Sequence, residues 1–139
     1  MNAAFFDTNI VAYAADTAAP DVTKRDLARQ LMQTREITTS TQVMMELYQV
    51  LRRKLAYGAQ AAMEWIQTLQ KDNVVTVSPA DVIHAIEMSS RHNISHWDGL
   101  ILVAAQRAEM EIVYTEDLNH GQAYGPVRVC NPFVEDFLA

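Results

Sequence analysis

Short β-prone runs alternate with longer helix-patterned stretches along this chain, and that alternation constrains the fold more than any other feature. Ala3–Phe6 reads as a strand. Residues 21–33 read as a helix, with Leu27, Leu31 and Met32 on one face. Glu36–Thr39 is short and β-prone, and Ser40 then suits the N-cap of a helix running through Ala56. Gly58 breaks that helix and residues 59–71 restart one. The β-branched run Asn73–Val77 predicts a strand, and Pro79 suits the first turn of a helix to about His92. Ser95 caps a further helix, His96–Glu109, whose GLILVAA segment is apolar on nearly every side and therefore central and buried. Ile112–Thr115 and Val127–Val129 are short strands, separated by a loop marked by Gly121 and Gly125. Strands alternating with helices predict the α/β class, with a mainly parallel sheet covered on both faces. With 139 residues, and no repeat, linker or low-complexity tract, the chain reads as one domain, 1–139.

In sheets of this kind, ligands sit beyond the carboxyl ends of the strands. Two acids stand at such ends, Asp7 after Ala3–Phe6 and Asp117 just after Ile112–Thr115. Two more stand near helix starts. Glu46 lies in the second turn of the helix after Ser40. At about 100° per residue it falls roughly 60° from Val43, on the border of the stripe formed by Val43, Leu47, Val50 and Leu51. Asp98 lies in the first turn of the buried helix. Each has a bland reading. Asp7 and Asp117 are common turn residues, a lone Glu is usually solvated, and Ser95 to Asp98 has the spacing of a capping box. The ends of adjacent elements can nevertheless converge on one edge of the sheet. Clustered carboxylates repel, so they must take up protons or hold cations. An all-oxygen set with no thiolate or imidazole suits Mg²⁺ or Mn²⁺ rather than zinc, and such ions activate water against phosphodiesters. Thr8 and Asn9 hold the loop or orient Asp7. Arg53, seven residues after Glu46, points the same way to within about 20° and is a candidate phosphate contact.

The other residues offer no rival chemistry. His84, His92, His96 and His120 lack HExxH or paired-cysteine spacing, and there is no nucleotide-cradling glycine loop or GxSxG elbow. Cys130 is the only cysteine and cannot close an internal disulfide, which fits a reducing cytoplasm. No basic stretch precedes the N-terminal apolar residues, and the longest strongly apolar run is far too short for a membrane span. The net charge of −6 opposes generic nucleic-acid binding.

FFDTNIVAYAAD, the isolated Glu46 on an early helix, HWDGLILVAA, and YTEDLNHG followed by VRVCNPF together resemble the PIN-domain ribonucleases. Within them the pattern is most similar to VapC-type toxins of bacterial type II toxin–antitoxin pairs, over essentially the whole chain. The resemblance implies a three-layer α/β/α sandwich and a metal site carried by Asp7, Glu46, Asp98 and Asp117, with Thr115 at the hydroxyl position that accompanies the last acid. It implies Mg²⁺- or Mn²⁺-dependent cleavage of structured RNA, a homodimer, and a small antitoxin whose extended tail fills a groove. Met44, Met45, Tyr48 and Trp65 are candidates for that groove, against a plain core role for at least half of them. Two divalent ions would add four positive charges to −6, leaving −2, and would do so where RNA binds. Two other classes stay open: a catalytically silent module that keeps the fold to dock a partner, and an aspartyl-phosphate phosphatase or receiver. The phosphatase usually needs a second Asp two residues after the first, where this chain has Asn9.

Overall fold

β1 (Ala3–Phe6) lies inside a six-stranded sheet. Successive side chains of a strand point to opposite faces, and Phe5 and Phe6 are both fully buried, so this strand must be covered on both sides. A computed structural model describes residues 3–18 and 20–134. Along the chain β1 is followed by α1 (Thr8–Ala15), α2 (Thr23–Thr34), β2 (Glu36–Ser40), α3 (Thr41–Arg53), α4 (Ala59–Gln70) and β3 (Asn73–Val75). Then come α5 (Pro79–His92), α6 (His96–Arg107), β4 (Ile112–Tyr114), β5 (Ala123–Tyr124) and β6 (Val127–Cys130). The strand order is β3-β2-β1-β4-β6-β5, parallel throughout except for the antiparallel β5–β6 pair.

This is the mainly parallel α/β/α sandwich that the alternation and the resemblance imply. On one face, Ala4, Phe6 and Tyr114 pack with Ile10 of α1, Leu31 of α2, Leu47 and Leu51 of α3 and Leu69 of α4. On the other, Phe5, Val113 and Val129 pack with Ile101, Leu102 and Ala105 of α6. α5 closes the outer side of α6 through Ala85 against Leu100 and Val103. Every residue of α6 from Gly99 to Ala105 is therefore buried, as its all-round apolar sequence requires.

The α5–α6 contact is close because Gly99 has no side chain. A Cβ at this position would lie 2.6 Å from the carbonyl oxygen of Ala85, a backbone atom that cannot swing away. Gly99→Val should therefore push α6 off α5 and destabilise the fold by about 2–3 kcal/mol. Because Gly99 follows Asp98, the change should also displace that carboxylate. Thermal unfolding of the variant checks this, and an unchanged melting temperature would mean that the two helices are free to separate.

Several boundaries differ from the sequence reading. The helix expected through Ala56 stops at Arg53, and Ala56 itself adopts a left-handed φ of 59°. The strand expected through Val77 ends at Val75, and the Val77 amide donates instead to the Thr41 hydroxyl. The helix expected to reach Glu109 ends at Arg107, with Glu109 left-handed at φ 60°. Two elements were not anticipated: α1, which begins directly after Asp7, and the two-residue β5 in the glycine-marked loop. No helix among the described residues is long and apolar enough to cross a membrane.

Candidate metal centre

The strand order fixes where side chains converge. From β1 the chain builds β2 and β3 on one side, then crosses to place β4 on the other. The carboxyl ends of β1 and β4 thus flank a switch point, where neighbouring connections diverge and leave a crevice. In the parallel register Phe6 is opposite Tyr114, so the next residues, Asp7 and Thr115, are neighbours. The Thr115 hydroxyl donates to Asp7 Oδ2 at 2.8 Å, and the Thr8 amide donates to Asp7 Oδ1 at 2.7 Å. Asp7 is both the end of β1 and the N-cap of α1. Its backbone amide donates to the Tyr114 carbonyl, which locks the strand end to β4.

Asp98 and Asp117 join Asp7 in one group, each offering an oxygen within 4.8 Å of the others. Asp98 comes from the first turn of α6. Ser95 caps that helix by accepting from the Asp98 amide at 3.0 Å, but the reciprocal bond of a full capping box is absent. At α5 both halves of the box form, between Ser78 and Asp81. The expected box at Ser95 is therefore only half made, and the Asp98 carboxylate joins the cluster. Asp117 is set by the loop after β4. Its amide donates to the Thr115 hydroxyl at 3.1 Å, and Asn9 Nδ2 donates to Asp117 Oδ2 at 3.0 Å. Asn9 Nδ2 also reaches the Thr115 hydroxyl, at 3.3 Å.

Glu46 stands outside that tight group but lines the same open cleft of about 700 Å³, as do Arg53 and Trp97. Its carboxylate accepts from the Thr8 hydroxyl at 2.7 Å and from Gln42 Nε2 at 3.2 Å. Gln42 Nε2 reaches the Trp97 carbonyl as well, at 3.3 Å, tying α3 to α6. The role of Gln42 was not read from the sequence, although its place one helical turn before Glu46 is the available signal. Glu116, beside Asp117, also lines the cleft but lies outside the tight group. Tyr13 Oη donates to it at 2.7 Å and Lys24 Nζ at 3.0 Å, and the Lys24 ammonium also lies 4.8 Å from the centroid of the Tyr13 ring. The bond to Glu116 is the main reason the Lys24 pKa is raised.

The electrostatics follow from burial. Asp7 is 5 % exposed, and desolvation pushes its pKa up to about 7 against the bonds from Thr115 and Thr8, with the charges of Asp117 and Glu46 adding to the rise. Burial, and then the charge of Asp117, also raises Asp98, while the Ser95 hydroxyl opposes the rise. The donor set fits a hard divalent cation. It is made of carboxylate oxygens, and two further acceptors on the side chains that hold the acids, Asn9 Oδ1 and Gln42 Oε1, are buried without a hydrogen-bond donor. Among the described residues this is the only group of three or more His, Cys, Asp or Glu side chains placed to hold a metal.

Residues 4–125 match the PIN domain. The chain belongs to the PIN-domain family. Comparison with the curated proteins found no match. Among solved structures, the PIN domain is similar to VapC20 of Mycobacterium tuberculosis, a toxin that cleaves the sarcin–ricin loop. The two are 20 % identical with a TM-score of 0.69, over 83 % of this chain and 90 % of that one. It is similar to a chain of a toxin–antitoxin complex from Klebsiella pneumoniae, with 19 % identity and a TM-score of 0.73, over 94 % of this chain and 98 % of that one. It is also similar to a chain of VapBC2 from Rickettsia felis bound to promoter DNA, with 14 % identity and a TM-score of 0.61, over 90 % and 95 % of the two chains. At these identities the likeness is one of fold.

Proposed function

We propose that this PIN domain is a metal-dependent endoribonuclease and the toxin of a toxin–antitoxin pair. The observation that carries the reading is the convergence of Asp7, Asp98 and Asp117 at the sheet's switch point, with Glu46 in the same cleft. These four acids would hold Mg²⁺ or Mn²⁺. When bound, the ion supplies charge neutralisation at a scissile phosphodiester and lowers the pKa of an attacking water. The chain's own part is to set the acids in place. Thr115 fixes Asp7 and the loop bearing Asp117, Asn9 orients Asp117, and Thr8 and Gln42 orient Glu46. Lys24 and Tyr13 hold Glu116 out of the cluster, so the count of competing carboxylates stays low.

Fold likeness to chains of toxin–antitoxin complexes supports an antitoxin as partner; the proposal further takes RNA as substrate and the protein as a homodimer in the cytoplasm. Of the four apolar candidates for an antitoxin groove, Met45 is exposed, Met44 is half-buried, and Tyr48 and Trp65 pack against the core. Asn9 counts against the phosphatase reading, because its amide is committed to Asp117 and Thr115 where that chemistry needs an acid. The test is incubation of the purified protein with mixed cellular RNA in Mg²⁺, in Mn²⁺ and in chelator, beside Asp7→Asn. Cleavage that requires metal and Asp7 supports the reading, and intact RNA in every lane returns the protein to the silent-module class.

Arg53 is exposed on α3, makes no ion pair among the described residues and lines the acid cleft. Arg53→Ala should weaken RNA binding and reduce the slope of log affinity against log salt by about one phosphate contact. If the slope is unchanged, Arg53 is an ordinary surface charge.

A further inference from the structure

Trp97 is 59 % exposed. A tryptophan held in water is unusual, because its ring buries a large apolar area wherever it finds cover. It precedes Asp98 directly and lines the acid cleft. Two contacts keep it in place. Gln42 Nε2 holds its carbonyl from α3, and the ring of His96 lies against its own at 5.3 Å between centroids, tilted by 48°. The residue is therefore fixed at its backbone and flanked on its ring, yet more than half of its surface stays in solvent at the acid cleft. Across the same cleft α3 ends in Arg52 and Arg53 and is followed by Lys54, all exposed, of which Arg53 and Lys54 line it. A π-surface next to the reacting centre, with cations nearby for the phosphates, is the arrangement that receives an unstacked base.

We propose that Trp97 is a stacking platform for a nucleobase adjoining the scissile phosphate, so that this ring is the residue through which the site holds an unstacked base. The inference rests on the endoribonuclease reading and adds a base-binding residue to its site. A base inside a duplex has both faces covered by its neighbours and cannot reach the ring. The cost of unstacking selects loops and single strands, and any base can serve because every base has a π-face.

Two measurements test this, and they separate failure of the inference from failure of the functional reading. In the Trp65→Phe background Trp97 is the only tryptophan. Its emission should be quenched on titration with a short single-stranded oligoadenylate in Ca²⁺, and not by a duplex of the same length. In steady-state cleavage of a single-stranded reporter with Mg²⁺, Trp97→Ala should raise KM by about 5- to 100-fold and change kcat much less. Trp97→Phe should recover most of the loss, and the stabilisation by Mn²⁺ should be the same in all three proteins. Normal KM in Trp97→Ala with unquenched emission, while the parent cleaves RNA, overturns the inference alone. The same holds if the substitution abolishes capture of a cognate antitoxin but leaves RNA kinetics untouched, since Trp97 would then be a protein-docking residue. A parent that neither binds nor cleaves RNA overturns both readings.

Discussion

Asp7→Asn, Asp98→Asn and Asp117→Asn should each lower metal-dependent RNA cleavage by about 100- to 1,000-fold while leaving a folded protein, with Glu46→Gln the mildest of the four. The order follows from position. The three aspartates present oxygens within 4.8 Å of one another, so removing one charge opens the tightest part of the site. Glu46 stands apart, held by Thr8 and Gln42, and an amide there keeps the size and part of the hydrogen bonding. Groups that act through one centre are not additive, so a double variant should be little worse than its worse parent. Initial rates on one RNA substrate, with circular dichroism to verify folding, decide the matter. Two of the aspartate variants cleaving at near the parental rate in Mg²⁺ would remove the assignment of the centre.

In chelator, Asp7→Asn should melt above the parent at pH 8, and the gap should narrow by more than half as the pH falls towards 5. The cause is the raised pKa of buried Asp7, about 7 in the folded state against 3.8 for the free side chain. A folded-state pKa above the unfolded one means that the fold prefers the protonated acid. The stability this contributes is complete below 3.8 and is lost as the pH rises through about 7. By pH 8 the parent has lost on the order of 4 kcal/mol from this one group, or about 10 °C in melting temperature for a chain of this size. The asparagine is neutral at both pH values and keeps an oxygen to accept from the Thr8 amide, so it escapes the loss. Mn²⁺ should reverse the ranking, because at a hundred times its dissociation constant it adds about 2.7 kcal/mol per site to the parent and much less to the variant. Melting curves at both pH values, with and without Mn²⁺, read this directly. A parent that is unaffected by Mn²⁺ and more stable than Asp7→Asn in chelator at pH 8 would mean that burial of Asp7 imposes no penalty.

The same burial explains what the sequence made legible. Asp7 was conspicuous because an acid ended the apolar run Ala3–Phe6, and Asp117 because it followed Ile112–Thr115. The alternation of strands and helices then implied that such ends meet. The helix α1 was hidden because it is only eight residues long, carries Ile10 and Val11 in its middle and starts with no linker after β1. β5 was hidden because two residues are too few to show a period of two; it exists through its pairing with β6. Gln42 and Gly99 act through partners on other elements, Gln42 through the Trp97 carbonyl and Gly99 through the carbonyl of Ala85. No local pattern reports such contacts. The half-made box at Ser95 is a related case, where spacing alone could not tell whether the acid caps its helix or faces the cleft.

The switch point also governs when the protein acquires its chemistry. Thr115 and Asp7 touch across 108 positions of sequence, and Glu46 and Asp98 join from the stretch between. A chain emerging from a ribosome can pair β1 with β2 early, yet it holds no acid cluster until β4 has been made and slotted against β1. Closure over so long a separation is among the slower events in folding. The acid cluster therefore cannot assemble from the N-terminal half alone, and the centre arises only in the finished fold.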